Sequence, residues 1–331
     1  MREQEIRPKE LFDEYLRLSE LDVDKYFKDG PREDVPCPGC GMNEPRFAFN
    51  KLGFQYVECT QCDTLYLSPR PPASAFDRFY SDSDSASYWG SVFFPAVAEV
   101  RRETIFRPRV RKIADLCASL NIAHDVVADV GAGYGLFLEE WKRNVAATQR
   151  LVAVEPNSHL AELCRHKGYE VSEKTAENAT DLHGIADLVT CFEVIEHCTD
   201  TARFVSSLLS ITKPGGYVLV TGLCVDGFDI QVLWERSKSV FPPHHINFLS
   251  KNGARRLFER MGFEDITITT PGVLDVDITL NALNSNPDIL PSRFEKKILS
   301  SGQKVQAEFQ DFLTKNGFSS HCWILSRRPA G

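Results

Sequence analysis

The sequence predicts an α/β fold in which a parallel sheet is covered by helices on both faces. From about residue 126 onward, short apolar runs alternate with stretches of helical periodicity, which is the pattern of strand–helix–strand units. A glycine-rich turn at 131–135 follows the first of these runs, where open α/β sheets bind their ligands. With 331 residues, 43% of them hydrophobic, the chain is long enough to bury such a core.

The N-terminal part of the chain is predicted to lie outside this sheet. Residues 1–35 are predicted as short helices, 36–72 as a small ribbon, and 73–120 as a helical connector. In the connector, Tyr88 and Trp89 are candidates for a lid over a ligand site, with core aromatics under a helix as the alternative.

Residues 121–331 are predicted to form the α/β domain, with a helical insertion at about 272–318 ahead of the last strand. The predicted strands are Val126–Val130, Leu151–Val154, Ala186–Phe192, Tyr217–Thr221, Ile266–Thr270 and His321–Ser326. The predicted helices between them are Gly135–Asn144, Ser158–Lys167, Thr201–Thr212 and Asn252–Arg260.

Four of the ten cysteines form two C-x2-C pairs separated by eighteen residues: Cys37, Cys40, Cys59 and Cys62. Two turns that each offer two thiolates, joined by a hairpin, supply the tetrahedral sulfur ligands of a structural Zn²⁺. A thioredoxin-like redox pair is the alternative, and it fits less well because neither pair opens a βαβ unit. The charges of 37–70 sum to zero, which favours a structural clip or a subunit contact over a nucleic-acid module.

Net charge and composition exclude several classes of protein. The 46 acidic and 38 basic side chains give a net charge of −8, which argues against a protein whose main task is to hold nucleic acid. The first residues are densely charged and lack the apolar centre of a secretory signal, and no uncharged apolar run approaches the length of a membrane span. A soluble cytoplasmic protein is therefore expected.

The turn after the first strand predicts a nucleotide-type site. It reads D-V-G-A-G-Y-G from Asp129 to Gly135, and its glycines let backbone N–H groups approach a ligand closely. The second strand is followed by Glu155, whose carboxylate can accept both hydroxyl protons of a ribose. An ordinary solvated carboxylate is the alternative, but the register with the glycine turn favours the ribose role.

These segments resemble the class I S-adenosylmethionine-dependent methyltransferases over roughly residues 100–270 and again at the last strand. The matching motifs are the D-V-G-A-G-Y-G turn, Glu155-Pro156, D-L-V-T-C-F-E-V-I-E-H at 187–197 and K-P-G-G at 213–216. The resemblance implies a Rossmann-like methyltransferase sheet and S-adenosylmethionine as the cofactor. The cofactor-binding residues that it implies are Asp129, Gly131, Ala132, Gly133, Glu155, Pro156, Phe192 and Glu193.

Three histidines are candidate general bases: His197, His244 and His245. His197 ends the E-V-I-E-H run, just past the carboxyl end of a predicted strand. The segment 242–250 resembles the H-x-x-x-F-S segment of methyltransferases that act on sugars and quinone precursors, and in sugar C-methyltransferases the histidine at the position of His245 serves as base. This chain has Pro242 and His244 where that pattern has Tyr and Glu. For each histidine the alternative is a hydrogen-bonded structural role.

A second metal site is a further expectation. Glu193, Glu196 and His197 stand at i, i+3 and i+4, so they would share one face if this stretch is helical. With His244 or His245 they would make a two-Glu, two-His set for Mg²⁺ or a similar ion. This set resembles the one with which some small-RNA and quinone-pathway O-methyltransferases orient the acceptor hydroxyl. The same E-V-I-E-H run also occurs where no metal is bound.

The sequence therefore predicts a methyltransferase that acts on a small acceptor, with a sugar or nucleotide-sugar as the first choice, O- or C-methylated. The alternatives are an RNA methyltransferase that holds its substrate with the ribbon, a non-catalytic cofactor-binding protein and, more distantly, a dehydrogenase. The insertion at 272–318 is expected to carry substrate or dimer contacts, so a homodimer is one expected assembly.

Overall fold

The computed structural model describes residues 2–145, 147–290 and 292–331. The chain divides into two compact units, each built from three separate stretches. The first unit comprises Met1–Glu99, Leu223–Gly253 and Thr269–Cys322, and the second comprises Val100–Gly222, Ala254–Ile268 and Trp323–Gly331. The ribbon and the helices of the insertion thus belong to the first unit.

The strands of the described residues are, in chain order, β1 Pro45–Lys51, β2 Phe54–Cys59, β3 Leu65–Leu67, β4 Val126–Val130, β5 Arg150–Val154, β6 Glu170–Ser172, β7 Ala186–Phe192, β8 Thr212–Leu223, β9 Asn247–Phe248, β10 Glu264–Thr269 and β11 His321–Arg327.

The α-helices of the same residues are α1 Glu3–Ile6, α2 Lys9–Phe27, α3 Ala73–Asp82, α4 Asp84–Tyr88, α5 Phe94–Arg101, α6 Arg107–Leu120, α7 Leu136–Asn144, α8 Ser158–His166, α9 Thr201–Ile211, α10 Phe228–Leu233, α11 Lys251–Arg260, α12 Asp275–Ser285, α13 Arg293–Leu299 and α14 Gln303–Lys315. Two π-helical turns, Trp89–Phe93 and Arg102–Phe106, flank α5. Among the residues described, no helix combines the length and the apolar character needed to cross a membrane.

Seven strands form one sheet in the order β10-β11-β8-β7-β4-β5-β6. Parallel pairing joins β4 to β5 and β7, β5 to β6, and β7 to β8. Every residue of the interior strand β4 is buried, as expected where helices cover both faces of a parallel sheet. The predicted α/β fold is confirmed. Strand β6 was not predicted, because three residues are too few to show an alternation of apolar and polar side chains.

The core of the second unit lies where α6 and α7 pack beside this sheet. Val110, Ile113 and Cys117 form an apolar stripe on α6, and the fully buried Trp141 of α7 belongs to the same cluster. The indole N–H of Trp141 donates to Thr148 Oγ1 at 2.8 Å, so its polar atom is satisfied inside the core. This packing holds α6 against the sheet and places the residues on its buried face near the strand ends.

A second, four-stranded sheet in the order β1-β2-β3-β9 belongs to the first unit. The hairpin of β1 and β2 turns at Leu52 and Gly53, both in the left-handed region with φ of 48° and 74°. Strand β3 pairs antiparallel with β2 and with β9, which comes from a much later part of the chain. The ribbon sheet is therefore completed by the segment that contains His245.

Candidate active site

The glycine turn after β4 has a backbone that side chains would disturb. Gly131 has a φ of 74°, and a Cβ built there would lie 2.6 Å from Val194 Cγ2. Its amide donates to Val154 O at 2.8 Å, which joins the turn to the end of β5. Gly133 is also left-handed, with a φ of 53°. Glycine is thus favoured at both positions by conformation, and at Gly131 it is also required by space.

Glu155 lies buried just beyond β5 and faces this turn. Its two carboxylate oxygens accept hydrogen bonds from the amides of Gly133 at 2.8 Å and Asn157 at 2.9 Å. Burial raises the pKa of Glu155, and the two amide hydrogen bonds oppose that rise. Each oxygen keeps a further lone pair, so the group can still accept hydroxyl protons. Pro156, next in the chain, is exposed, whereas Ala132 of the turn is buried.

Asp129 is the next-to-last residue of β4 and lies just before the glycine turn. It is 2% exposed and accepts a hydrogen bond from Thr190 Oγ1 at 2.8 Å. Burial raises the pKa of Asp129 to about 7, although the Thr190 hydroxyl and the Arg109 guanidinium both favour its charged form. The site can therefore hold this carboxyl with or without its proton near neutral pH.

Phe192 and Glu193 follow at the end of β7. The Phe192 ring packs on Phe137 with centroids 4.7 Å apart. Glu193 has a φ of 56°, a strained value for a residue with a side chain, and such strain concentrates at functional sites. Its Oε1 accepts from Thr221 Oγ1 at 2.6 Å. The strand end thus presents an aromatic face beside an oriented carboxylate.

Arg109 of α6 is the site residue that the sequence reasoning missed. It is 8% exposed, its guanidinium lies 4.6 Å from the Phe192 ring centroid, and Nη2 is 3.4 Å from Glu193 Oε1. Burial lowers its pKa, while Glu193 and Asp129 oppose that shift. One feature of the sequence could have indicated it. Arg109 stands four residues before Ile113, so it lies on the same face of α6 as the apolar stripe, where a charged residue is unusual.

Glu196 and His197, the other candidate metal ligands of the E-V-I-E-H run, follow Glu193 closely in the second unit. A short 3₁₀ turn, Ile195–His197, carries Glu196 and His197. Glu196 is 2% exposed, and a Cβ at Gly222 would come within 3.0 Å of its Oε2. His197 is only partly buried. The Mg²⁺ site formed by Glu193, Glu196 and His197 stays a prediction. In Glu193, the Oε1 atom already contacts the Thr221 hydroxyl and the Arg109 guanidinium.

His244 and His245 both belong to the first unit, in different surroundings. His244 is 5% exposed among aromatic rings, 5.1 Å from Tyr15 and 4.9 Å from Phe79, and its Nε2 lies 3.1 Å from Ser19 Oγ. His245 is less buried, and its Nδ1 lies 2.6 Å from Ser239 O. Because a carbonyl oxygen can only accept, Nδ1 carries the proton and the lone pair of the neutral ring is on Nε2.

The four cysteines of the ribbon converge. The Sγ atoms of Cys37 and Cys62 are 3.5 Å apart, as are those of Cys40 and Cys59, and all four lie within 4.8 Å of one another. Four thiolates around one Zn²⁺ at about 2.3 Å stand about 3.8 Å apart in a tetrahedron. The donor set therefore fits a zinc ribbon, as the spacing predicts.

Several known proteins are similar to this chain in sequence. The model of a methyltransferase domain family matches residues 101–268. The chain is 34% identical over 96 residues to the ubiquinone biosynthesis O-methyltransferase of Pectobacterium atrosepticum, across 28% of this chain and 40% of that protein. It is 30% identical over 113 residues to the protein of the same name from Xanthomonas oryzae, across 32% and 46% of the two chains.

The alignments thus span less than half the length of these two curated relatives. Among solved structures, an S-adenosylmethionine-dependent methyltransferase from Archaeoglobus fulgidus is similar at 16% identity and a TM-score of 0.49, covering 72% of this chain and 100% of that one. The family model spans just over half of the 331 residues. The chain therefore belongs to the class I S-adenosylmethionine-dependent methyltransferases.

Proposed function

We propose that the chain transfers a methyl group from S-adenosylmethionine to a hydroxyl or an acidic carbon of a small acceptor. The observation that carries this proposal is the buried Glu155 carboxylate, held by the amides of Gly133 and Asn157 at the carboxyl edge of the sheet. A carboxylate in that place is oriented before any ligand arrives, so it can bind a ribose diol without being reorganised.

The other residues of the second unit supply the remaining contacts that such a cofactor needs. S-adenosylmethionine supplies a methyl group that is already activated on a sulfonium. The turn from Asp129 to Gly133 would bind the methionine part, and the Phe192 ring would pack beside the sulfonium. The Arg109 guanidinium would pair with the methionine carboxylate, because it is a buried cation beside the Phe192 ring.

The general base in this proposal is His245. A hydroxyl or carbon acid must lose a proton as the methyl group arrives, and a neutral imidazole with its lone pair on Nε2 can take it. The Ser239 carbonyl holds His245 in that tautomer. His244 is better suited to a packing role, since the Ser19 hydroxyl already donates to Tyr15 O and can then only accept from His244 Nε2.

The acceptor class is the finer part of the proposal. The curated relatives are named as O-methyltransferases of ubiquinone biosynthesis, which supports a hydroxyl acceptor. The resemblance of 242–250 to sugar methyltransferases supports a sugar or nucleotide-sugar. The net charge of −8 and the neutral ribbon weigh against RNA. A cytoplasmic location and a homodimer are part of the same proposal.

We also assign Zn²⁺ to the cluster of Cys37, Cys40, Cys59 and Cys62, with a structural role. All four protein positions of a tetrahedron are taken by thiolates, so no open position is left for chemistry at the metal.

Two measurements on the full chain test this function. Isothermal titration with S-adenosylmethionine should show one-site binding, with NAD as a ligand that should not bind. Labelled S-adenosylmethionine should then transfer its methyl group to a member of a panel of nucleotide-sugars, free sugars and catechol-type phenols. No cofactor binding would refute the enzyme. Transfer to RNA in a parallel assay, abolished by moderate salt, would replace the small acceptor.

A further inference from the structure

The ribbon sheet and residues 239–250, here called the histidine segment, form one hydrogen-bonded structure. Strand β9 of this segment is the fourth strand of the ribbon, with Leu65 opposite Phe248 and Tyr66 opposite Asn247. The amide of Leu67 also donates to Ile246 O at 3.0 Å. The position of this segment is therefore set by main-chain pairing with the ribbon.

One ribbon side chain reaches the candidate base directly. The Tyr56 hydroxyl donates to the backbone carbonyl of His245 at 2.6 Å. Tyr56 is fully buried, and its ring packs against Phe49 at 5.0 Å and Phe248 at 6.3 Å. Burial raises its pKa well above the usual value, so the hydroxyl stays a donor across the physiological range.

Two further polar groups of His245, its backbone amide and its ring Nδ1, are held within its own segment. Its amide donates to Phe241 O at 3.0 Å, and its ring Nδ1–H donates to Ser239 O at 2.6 Å. With the Tyr56 hydroxyl on the carbonyl, the backbone and the ring are fixed by three separate hydrogen bonds. The orientation of Nε2 follows from these three contacts.

The metal-binding turns also hold the end of the histidine segment. Ser250 Oγ donates to the carbonyl of Cys62, and the Ser250 amide donates to Thr64 Oγ1 at 3.3 Å. The turn that contains Gly39 packs against Gly253, because a Cβ on Gly39 would lie 2.8 Å from Gly253 Cα. A shift of either cysteine turn would therefore move the chain that follows β9.

We infer that Tyr56 is a positioning residue for His245, and that the four-cysteine cluster fixes the strand from which Tyr56 acts. The inference rests on the proposed role of His245 as base. It gives the ribbon a task in catalysis that needs neither nucleic acid nor a direct contact with the acceptor. Misplacing a reacting group by about 1 Å can lower a rate on the order of a hundredfold, so a support of this kind matters for turnover.

The first test compares Tyr56→Phe with the matched control Tyr66→Phe. Both tyrosines are fully buried in the ribbon sheet, but the Tyr66 hydroxyl has no hydrogen-bond partner among the described residues. With the panel member that the unaltered protein methylates fastest, Tyr56→Phe should lower kcat about tenfold or more while the KM for S-adenosylmethionine is unchanged. Tyr66→Phe should leave both constants unchanged.

An unchanged kcat in Tyr56→Phe overturns the inference. A loss of zinc or of cofactor affinity in that variant overturns it too, because the effect would then be general unfolding and not positioning.

The second test needs no acceptor and separates this inference from the proposed function. Backbone amide exchange is followed by mass spectrometry in the full chain, in Tyr56→Phe and in zinc-depleted protein. Peptides that cover 239–250 should exchange faster in both altered forms, while those that cover 126–135 should not change. Equal protection of 239–250 in all forms overturns the inference. Faster exchange in a protein that binds no S-adenosylmethionine keeps the ribbon support and refutes only the methyltransferase proposal.

Discussion

The Glu155 carboxylate accepts a hydrogen bond from the Gly133 amide at 2.8 Å, and this single contact joins the glycine turn after β4 to the residue that follows β5. The two partners belong to separate sequence motifs and stand 22 residues apart. Their contact joins these motifs at one edge of the sheet, since parallel neighbouring strands end on the same side.

Glu155→Gln should weaken S-adenosylmethionine binding by about 10- to 100-fold, because a neutral amide replaces a charged acceptor of hydroxyl protons. Isothermal titration measures the change in the dissociation constant. Glu170→Gln is the matched control, since the Glu170 side chain is 47% exposed and pairs with Arg150 on the surface. Equal affinity in the two variants would remove Glu155 from the cofactor site.

Arg109→Met should also lower cofactor affinity by about tenfold or more, since it removes the buried cation over Phe192 while keeping apolar bulk. The comparison is Arg143→Met, whose side chain is 54% exposed and pairs with Glu139 on the same helix. Arg143→Met should bind the cofactor as the unaltered protein does. If Arg109→Met binds it equally well, the carboxylate of the cofactor is held elsewhere.

Asp129 should make stability depend on pH. Its pKa in the folded protein is about 7, against an ordinary value of 3.8, so between about pH 4 and 7 the native state holds a proton that the unfolded chain has released. The free energy of unfolding contributed by this group therefore falls as the pH rises through that window. Asp129→Asn cannot ionise and should lack this fall.

Urea unfolding of both proteins across that pH window measures the effect. The stability of Asp129→Asn relative to the unaltered protein should increase with pH, by on the order of a few kcal/mol in total. Parallel curves for the two proteins would show that Asp129 ionises normally in the native state.

Cys59→Ser should release the zinc, because a hydroxyl is a poor substitute for a thiolate in a tetrahedral site of four sulfur ligands. Metal analysis should find about one zinc per unaltered chain and little in the variant. Cofactor affinity should be retained, since the second unit contains Glu155 and the glycine turn. Cys117→Ser, which changes a buried thiol away from the cluster, should keep its zinc.

His245→Ala should lower turnover by about 10²- to 10⁴-fold, the range of a lost general base, without changing cofactor affinity. Turnover is measured with the panel member that the unaltered protein methylates. The control is His166→Ala, whose side chain is 73% exposed on α8. An unaffected rate in His245→Ala would assign proton removal to another residue.

Local sequence was sufficient for the parts whose geometry is local. The alternation of apolar runs and helical stretches predicted the sheet, the C-x2-C spacing predicted the converging thiolates, and the D-V-G-A-G-Y-G turn predicted the left-handed glycines. Each of these patterns encodes a backbone conformation or a ligand spacing within a few residues, so it can be read before the chain is folded.

Tertiary structure alone decided which distant residues come into contact. Arg109 reaches Phe192 from a helix that precedes the sheet, and Tyr56 meets the His245 carbonyl from 189 residues away. No local pattern contains such contacts, because they depend on how helices and strands pack. The sequence by itself thus determined the fold class, the four-cysteine cluster and the glycine turn, whereas folding decided that the ribbon would pair with the histidine segment.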